Sequence, residues 1–83
     1  VTLHVDTIAK RLVDLGGDEV FPATLSAPAR LAMVKEWIAR ASSAGFIAER
    51  IAVAIGRGET AHHIERKLEA RESARGRRHG TAI

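Results

Sequence analysis

His62 and His63 stand side by side, Glu59 lies four residues before the second, and Arg57, Thr60, Arg66 and Lys67 surround them. These residues are the ones whose types could do chemistry. Glu59 and His63, at i and i+4, would offer two metal ligands from one helix face. Adjacent histidines on a helix project about 100° apart, so His62 and His63 cannot chelate one ion together. No HExxH pattern is present, and the chain has no cysteine, so neither a metal site nor a cofactor is expected. His4 and His79 add no second cluster. Catalysis has less support: there is no GxSxG, P-loop or GxGxxG, and 83 residues leave little room for a closed pocket. No catalytic residue is assigned, and an enzyme is not expected.

The remaining chemistry is charge. Residues 1–56 carry six basic and six acidic side chains and balance. Residues 57–83 carry Arg57, Arg66, Lys67, Arg71, Arg75, Arg77 and Arg78 against Glu59, Glu65, Glu69 and Glu72. The whole excess of +3 therefore sits in the last third, and no acid follows Ser73. Such asymmetry points to a polyanionic partner, most often nucleic acid. Arg75, Arg77 and Arg78, in a glycine-bearing tail, would add affinity for a phosphate backbone without reading sequence.

The elements that must position these side chains read as four short helices. Val5, Ile8, Leu12, Val13 and Leu15 recur at helical spacing, predicting a helix over 6–15 capped by Asp6 and ended by Gly16-Gly17. Residues 18–25 lack a helical period, and Pro22 biases Phe21 away from helical angles. This segment reads as a loop whose Val20, Phe21 and Leu25 fold back onto the core. Ser26 ahead of Pro28 starts a second helix over about 27–41, with Leu31, Val34, Trp37, Ile38 and Ala41 on one face. SSAG at 42–45 breaks it. A third helix follows over about 46–55, with Ile47, Ile51 and Ile55 in line and Phe46, Ala48 and Ala54 alongside. Gly58 or Thr60 caps a fourth, whose stripe is Ala61, Ile64 and Leu68. Past Ala74 the sequence RGRRHGTAI has no period and is expected to lack order in isolation.

The chain thus reads as an all-α protein, a compact bundle of four short helices: a single helical domain over 1–74 and a flexible basic tail over 75–83. A core this thin gains from a partner, so a homodimer, or docking onto something larger, is expected. No apolar run approaches the roughly 18 residues of a membrane span. VTLHVDTIAKR has no basic region ahead of an apolar one, so no signal peptide is expected. A soluble, cytoplasmic protein without a membrane partner is the expectation.

Ile51-Ala52-x-x-Ile55-Gly56, an alanine mid-helix and a glycine at the turn, resembles the supporting helix of the helix-turn-helix DNA-binding regulator family. The resemblance covers about residues 46–71. It implies a small DNA-binding transcription regulator in which the segment from Thr60 to Arg71 lies in the major groove. The side chains expected at DNA are Arg57, Thr60, His62, His63, Arg66 and Lys67, joined by Arg75, Arg77 and Arg78. The sequence departs from the family at Arg57, where an apolar residue is usual, and at His62, where the family's next buried position falls. Either the turn is longer by two residues or the pair is not a DNA-reading unit. The alternative is a small helical module that binds another protein, as an adaptor, antitoxin or inhibitor, using Val20–Leu25 and the alanine-rich helix faces.

Overall fold

The computed structural model describes residues 4–43, 45 and 49–80, with side chains through residue 74. The described residues form an all-α globule of four helices without a strand. They are α1 (Val5–Val20), α2 (Ala27–Ser43), α3 (Glu49–Gly56) and α4 (Ala61–Gly80). Helix α2 packs most closely on α1 and also meets α3 and α4, while α3 lies against α1. Among the described residues, no helix is long and apolar enough to cross a membrane.

Helix α1 departs from its expected form at both ends. Asp6 does not cap it. The N-cap is His4, whose carbonyl accepts from the N–H groups of Thr7 and Ile8 at 3.0 and 3.2 Å. Asp6 sits in the first turn, where the exposed N–H groups favour a carboxylate, and pairs with Lys35 at 2.6 Å. Gly17 breaks the helical angles (φ 54°, ψ −150°), yet the chain turns helically once more before ending at Val20. The Phe21 N–H closes that turn on the Gly17 carbonyl at 3.1 Å. Gly16 makes it possible: a Cβ there would stand 2.9 Å from Val20 Cβ and 3.0 Å from Phe21 Cε2. The buried face of α1 is also rotated from the expected one. Ala9, Leu12, Gly16 and Val20 face inward, leaving Val5, Ile8 and Leu15 exposed.

Val20 and Phe21 fold back as the sequence predicts, and Leu25 is half-buried. Phe21 stacks on Trp37 with ring centroids 5.8 Å apart and planes 13° from parallel. Both rings are buried completely or nearly so, at the centre of a core completed by Val34, Ala41, Ile51, Ile55, Ile64 and Leu68. The Trp37 indole N–H finds no acceptor among the described residues. Arg30 closes the corner over Phe21, its guanidinium carbon 5.8 Å from the ring centre. Its N–H groups donate to the carbonyls of Leu25 (3.1 Å) and Pro22 (3.1 Å) and to Asp18 (2.9 Å).

Ser26 caps α2, its hydroxyl accepting from Ala29 N–H at 3.3 Å, and the helix runs to Ser43, two residues past the expected end. Phe46, Ile47 and Ala48, expected to open the third helix, lie outside the described residues. Helix α4 continues through residues 75–80, where loss of regular structure was expected.

Candidate nucleic-acid interface

The corner between α3 and α4 is built by two capping devices in direct succession. The Gly58 N–H donates to the Ile55 carbonyl at 3.0 Å, and the Glu59 N–H reaches back to the Ala54 carbonyl at 3.1 Å. Together these form a Schellman closure of α3 around a left-handed residue, which is Gly58 at φ 76°. Gly56, the glycine singled out by the helix-turn-helix pattern, remains inside α3. The left-handed position thus falls two residues later. Thr60 follows as the N-cap of α4: its hydroxyl accepts from His63 N–H at 3.3 Å and its carbonyl from Ile64 N–H at 3.0 Å. The longer turn puts Ala61 and Ile64 in the core and leaves His62 exposed.

From this corner α3 and α4 diverge, and an open groove of about 700 Å³ lies between them. Its floor is apolar, formed by Ile51, Ala54, Ile64 and Leu68 with Val53 on the rim. Arg50 and Arg57 reach it from the α3 side, Lys67 and Arg71 from α4. Glu59 is the one acid lining it among the described residues. Its Oε1 accepts from Lys67 Nζ at 2.7 Å and lies 3.2 Å from His63 Nε2. The hydrogen bond and charge of Lys67 hold the Glu59 carboxyl below the usual carboxylate range against the opposing effect of burial; His63 and Arg57 add smaller contributions. The Glu59 side chain is 17% exposed while its partners His63 and Lys67 are 56% and 47% exposed, so the acid sits inside and the bases outside.

The charges of α4 are sorted by face. Lys67 and Arg71, one helical turn apart, border the groove. Glu72 points the other way and forms a two-pronged pair with Arg40 of α2, Nη2–Oε1 2.7 Å and Nε–Oε2 3.1 Å. The charge of Glu65 also acts on Arg40, which places it on that same flank. Glu69, four residues past Glu65, follows it along the helix. Helix α4 is thus basic toward α3, and its Glu65 and Glu72 lie toward α2.

The predicted site residues divide accordingly. Arg57 and Lys67 line the groove, and His63 joins them through Glu59. Thr60 is occupied as a cap, although its side chain remains exposed. His62 and Arg66 are exposed on α4 and do not line the groove. The side chains of Arg75, Arg77 and Arg78 lie outside the described residues. Sequence reasoning missed Arg50, Arg71 and Glu59 as members of the site. The i, i+4 spacing of Lys67 and Arg71 was a usable signal, whereas Arg50 needed the orientation of α3 relative to α4. Glu59 and His63 meet as their spacing allows, but Lys67 shares the same carboxylate oxygen, and no group of three ligands stands together among the described residues. Comparison of the chain with family models, with curated proteins and with solved structures gave no match.

Proposed function

We propose that this protein binds DNA through the α3–α4 corner, as a small cytoplasmic transcription regulator of helix-turn-helix type. The observation that carries the reading is the sorting of charge on α4, which presents Lys67 and Arg71 beside Arg50 and Arg57 and keeps Glu65 and Glu72 on the α2 side. Glu65 and Glu72 therefore stand away from the groove that a phosphate backbone would approach. In this reading Arg57 and Arg71 contact phosphates, and His62 and Arg66, exposed on the first turns of α4, reach base edges. Arg75, Arg77 and Arg78 add affinity that falls with salt. A second copy would cover the exposed Val5, Ile8 and Leu15 of α1.

The test is a fluorescence-anisotropy titration of duplex fragments, including the gene's own upstream region, at two salt concentrations. Wild-type protein should select one fragment at the higher salt. Arg57→Ala with Arg71→Ala should weaken binding by between roughly tenfold and a hundredfold near 0.1 M salt, from two lost phosphate contacts. Replacing Arg75, Arg77 and Arg78 with alanine should flatten the salt slope and leave the preferred sequence unchanged. Binding that ignores all five substitutions would remove this face from the mechanism.

A second reading, a helical module that docks on another protein, draws on the exposed apolar strip. Leu15 is 61% exposed, Val5 46% and Ile8 36%, all on α1. Leu15 also lies close to Gly56 of α3, which brings the exposed Val53 toward the same side. Phe21 takes no part in such a surface, because it is buried under Arg30. Absence of DNA binding at low salt, with a partner lost on Leu15→Glu, would favour this reading.

A further inference from the structure

Glu59 is held unusually well for a carboxylate in a turn. Both flanking positions are fixed: Gly58 by its left-handed angles and its bond to Ile55, Thr60 by capping α4. Glu59's own N–H is spent on Ala54. The backbone therefore delivers the carboxylate to one place, at the corner of the groove, with little freedom left to lose. There a single oxygen takes Lys67 and His63 together, and Arg57 contributes to the field around it. A phosphate oxygen is an acceptor of the same kind, and it recruits the same N–H donors.

We propose that Glu59 is an internal stand-in for a DNA phosphate, occupying the place between Lys67 and His63 that a backbone phosphate takes when DNA binds. The inference rests on the DNA-binding reading and deepens it. By holding Lys67, Glu59 removes one cation from the pool that drives non-specific binding, while Arg57 and Arg71, which form no ion pair among the described residues, remain available. Affinity for every duplex is then lowered by about the same factor, because a phosphate contact carries no sequence information. The turn sets a threshold on DNA binding.

The experiment compares wild-type protein with Glu59→Gln, which keeps the size and removes the charge, after circular dichroism shows equal helicity. Anisotropy titration of a random-sequence duplex near 0.1 M salt should give roughly tenfold tighter binding for the variant. The salt slope should steepen by about one, for one released ammonium. Adding Lys67→Ala to Glu59→Gln should cancel both gains. Equal or weaker binding by Glu59→Gln, where the wild type binds duplex, overturns the proposal. If neither protein binds duplex at any salt, the DNA reading fails, and thermal stabilisation by inorganic tripolyphosphate decides the rest. A larger melting shift in Glu59→Gln than in wild type keeps Glu59 as an anion stand-in; an equal shift ends it.

Discussion

At the α1–α2 corner, Arg30 folds inward over Phe21 and spends its guanidinium on two carbonyls and Asp18. At the α3–α4 corner, Arg57 stays exposed beside a groove whose other cations, Arg50, Lys67 and Arg71, also reach its rim. Each corner has a glycine with positive φ close by, Gly17 ahead of the last turn of α1 and Gly58 in the 57–60 turn, and each has an arginine within a few residues. What differs is how each arginine is engaged. At the 22–25 turn the Pro22 carbonyl, which also accepts from the Leu25 N–H at 3.0 Å, and the Leu25 carbonyl both take bonds from the partly buried Arg30. The 57–60 turn ties its N–H groups back onto α3 through the Schellman closure and uses Thr60 as a cap, while the Arg57 side chain forms no hydrogen bond or ion pair among the described residues. One corner holds the fold together; the other is left with charge to offer.

The sharpest way to break that contrast is through its aromatic centre. Phe21→Ala removes a ring stacked on Trp37 and covered by Arg30, and should cost about 3–5 kcal/mol. Arg57→Ala, at the exposed turn, should stay within about 0.5 kcal/mol while weakening DNA binding. Urea unfolding of the two variants measures this directly. Comparable losses would mean the α3–α4 corner is as structural as the other.

A second test separates two neighbouring glycines of the closed corner. Gly16 has ordinary helical surroundings but no room, since a Cβ would press on Val20 and Phe21. Gly17 has room, with nothing within 4 Å of its added Cβ, but a backbone (φ 54°, ψ −150°) that L residues avoid. Alanine at Gly16 should cost about 1–3 kcal/mol by overpacking, and alanine at Gly17 about 1–3 kcal/mol by backbone strain. The two costs part when D-alanine is built in by chemical synthesis. D-alanine accepts the angles of position 17 and should restore stability there, whereas position 16 should gain nothing from it.

These glycines also mark how far the sequence could be read. The stripes Val34–Trp37–Ala41 and Ala61–Ile64–Leu68 follow from spacing alone, because a helix that buries one face must repeat at three and four residues. Pro22 announced that Phe21 would leave the helix and fold back. The extra turn through Val20 was not legible, since it depends on Gly16 leaving room for the side chains of Val20 and Phe21. The rotated face of α1 escaped for a similar reason: hydropathy favours Leu15 over Gly16, while close packing favours the residue without a Cβ. At the groove, Arg57, Lys67 and His63 could be listed from type and position. Arg50 joined them only through the angle between α3 and α4, and Glu59 only through a turn two residues longer than the family pattern.

The smallest expected effect concerns the two flanks of α4. Arg40 holds the Glu72 carboxyl below its ordinary range by hydrogen bonding and charge, against a smaller opposing effect of burial. A carboxyl lowered in the folded state adds stability above its unfolded value, near 4.5, and loses it as pH falls through the lower folded value. Both partners are partly exposed, 24% and 40%, so the pair should contribute no more than about 1 kcal/mol. Glu72→Gln should therefore be slightly less stable than wild type at pH 7, and the gap should close as the wild-type carboxyl protonates in acid. Urea midpoints taken from pH 7 down to pH 3 follow that closure. A gap that stays constant with pH would mean the pair acts by packing alone. The acidic flank would then be no more committed to α2 than the basic flank is to the groove, and the sorting of charge along α4 would lose its energetic basis.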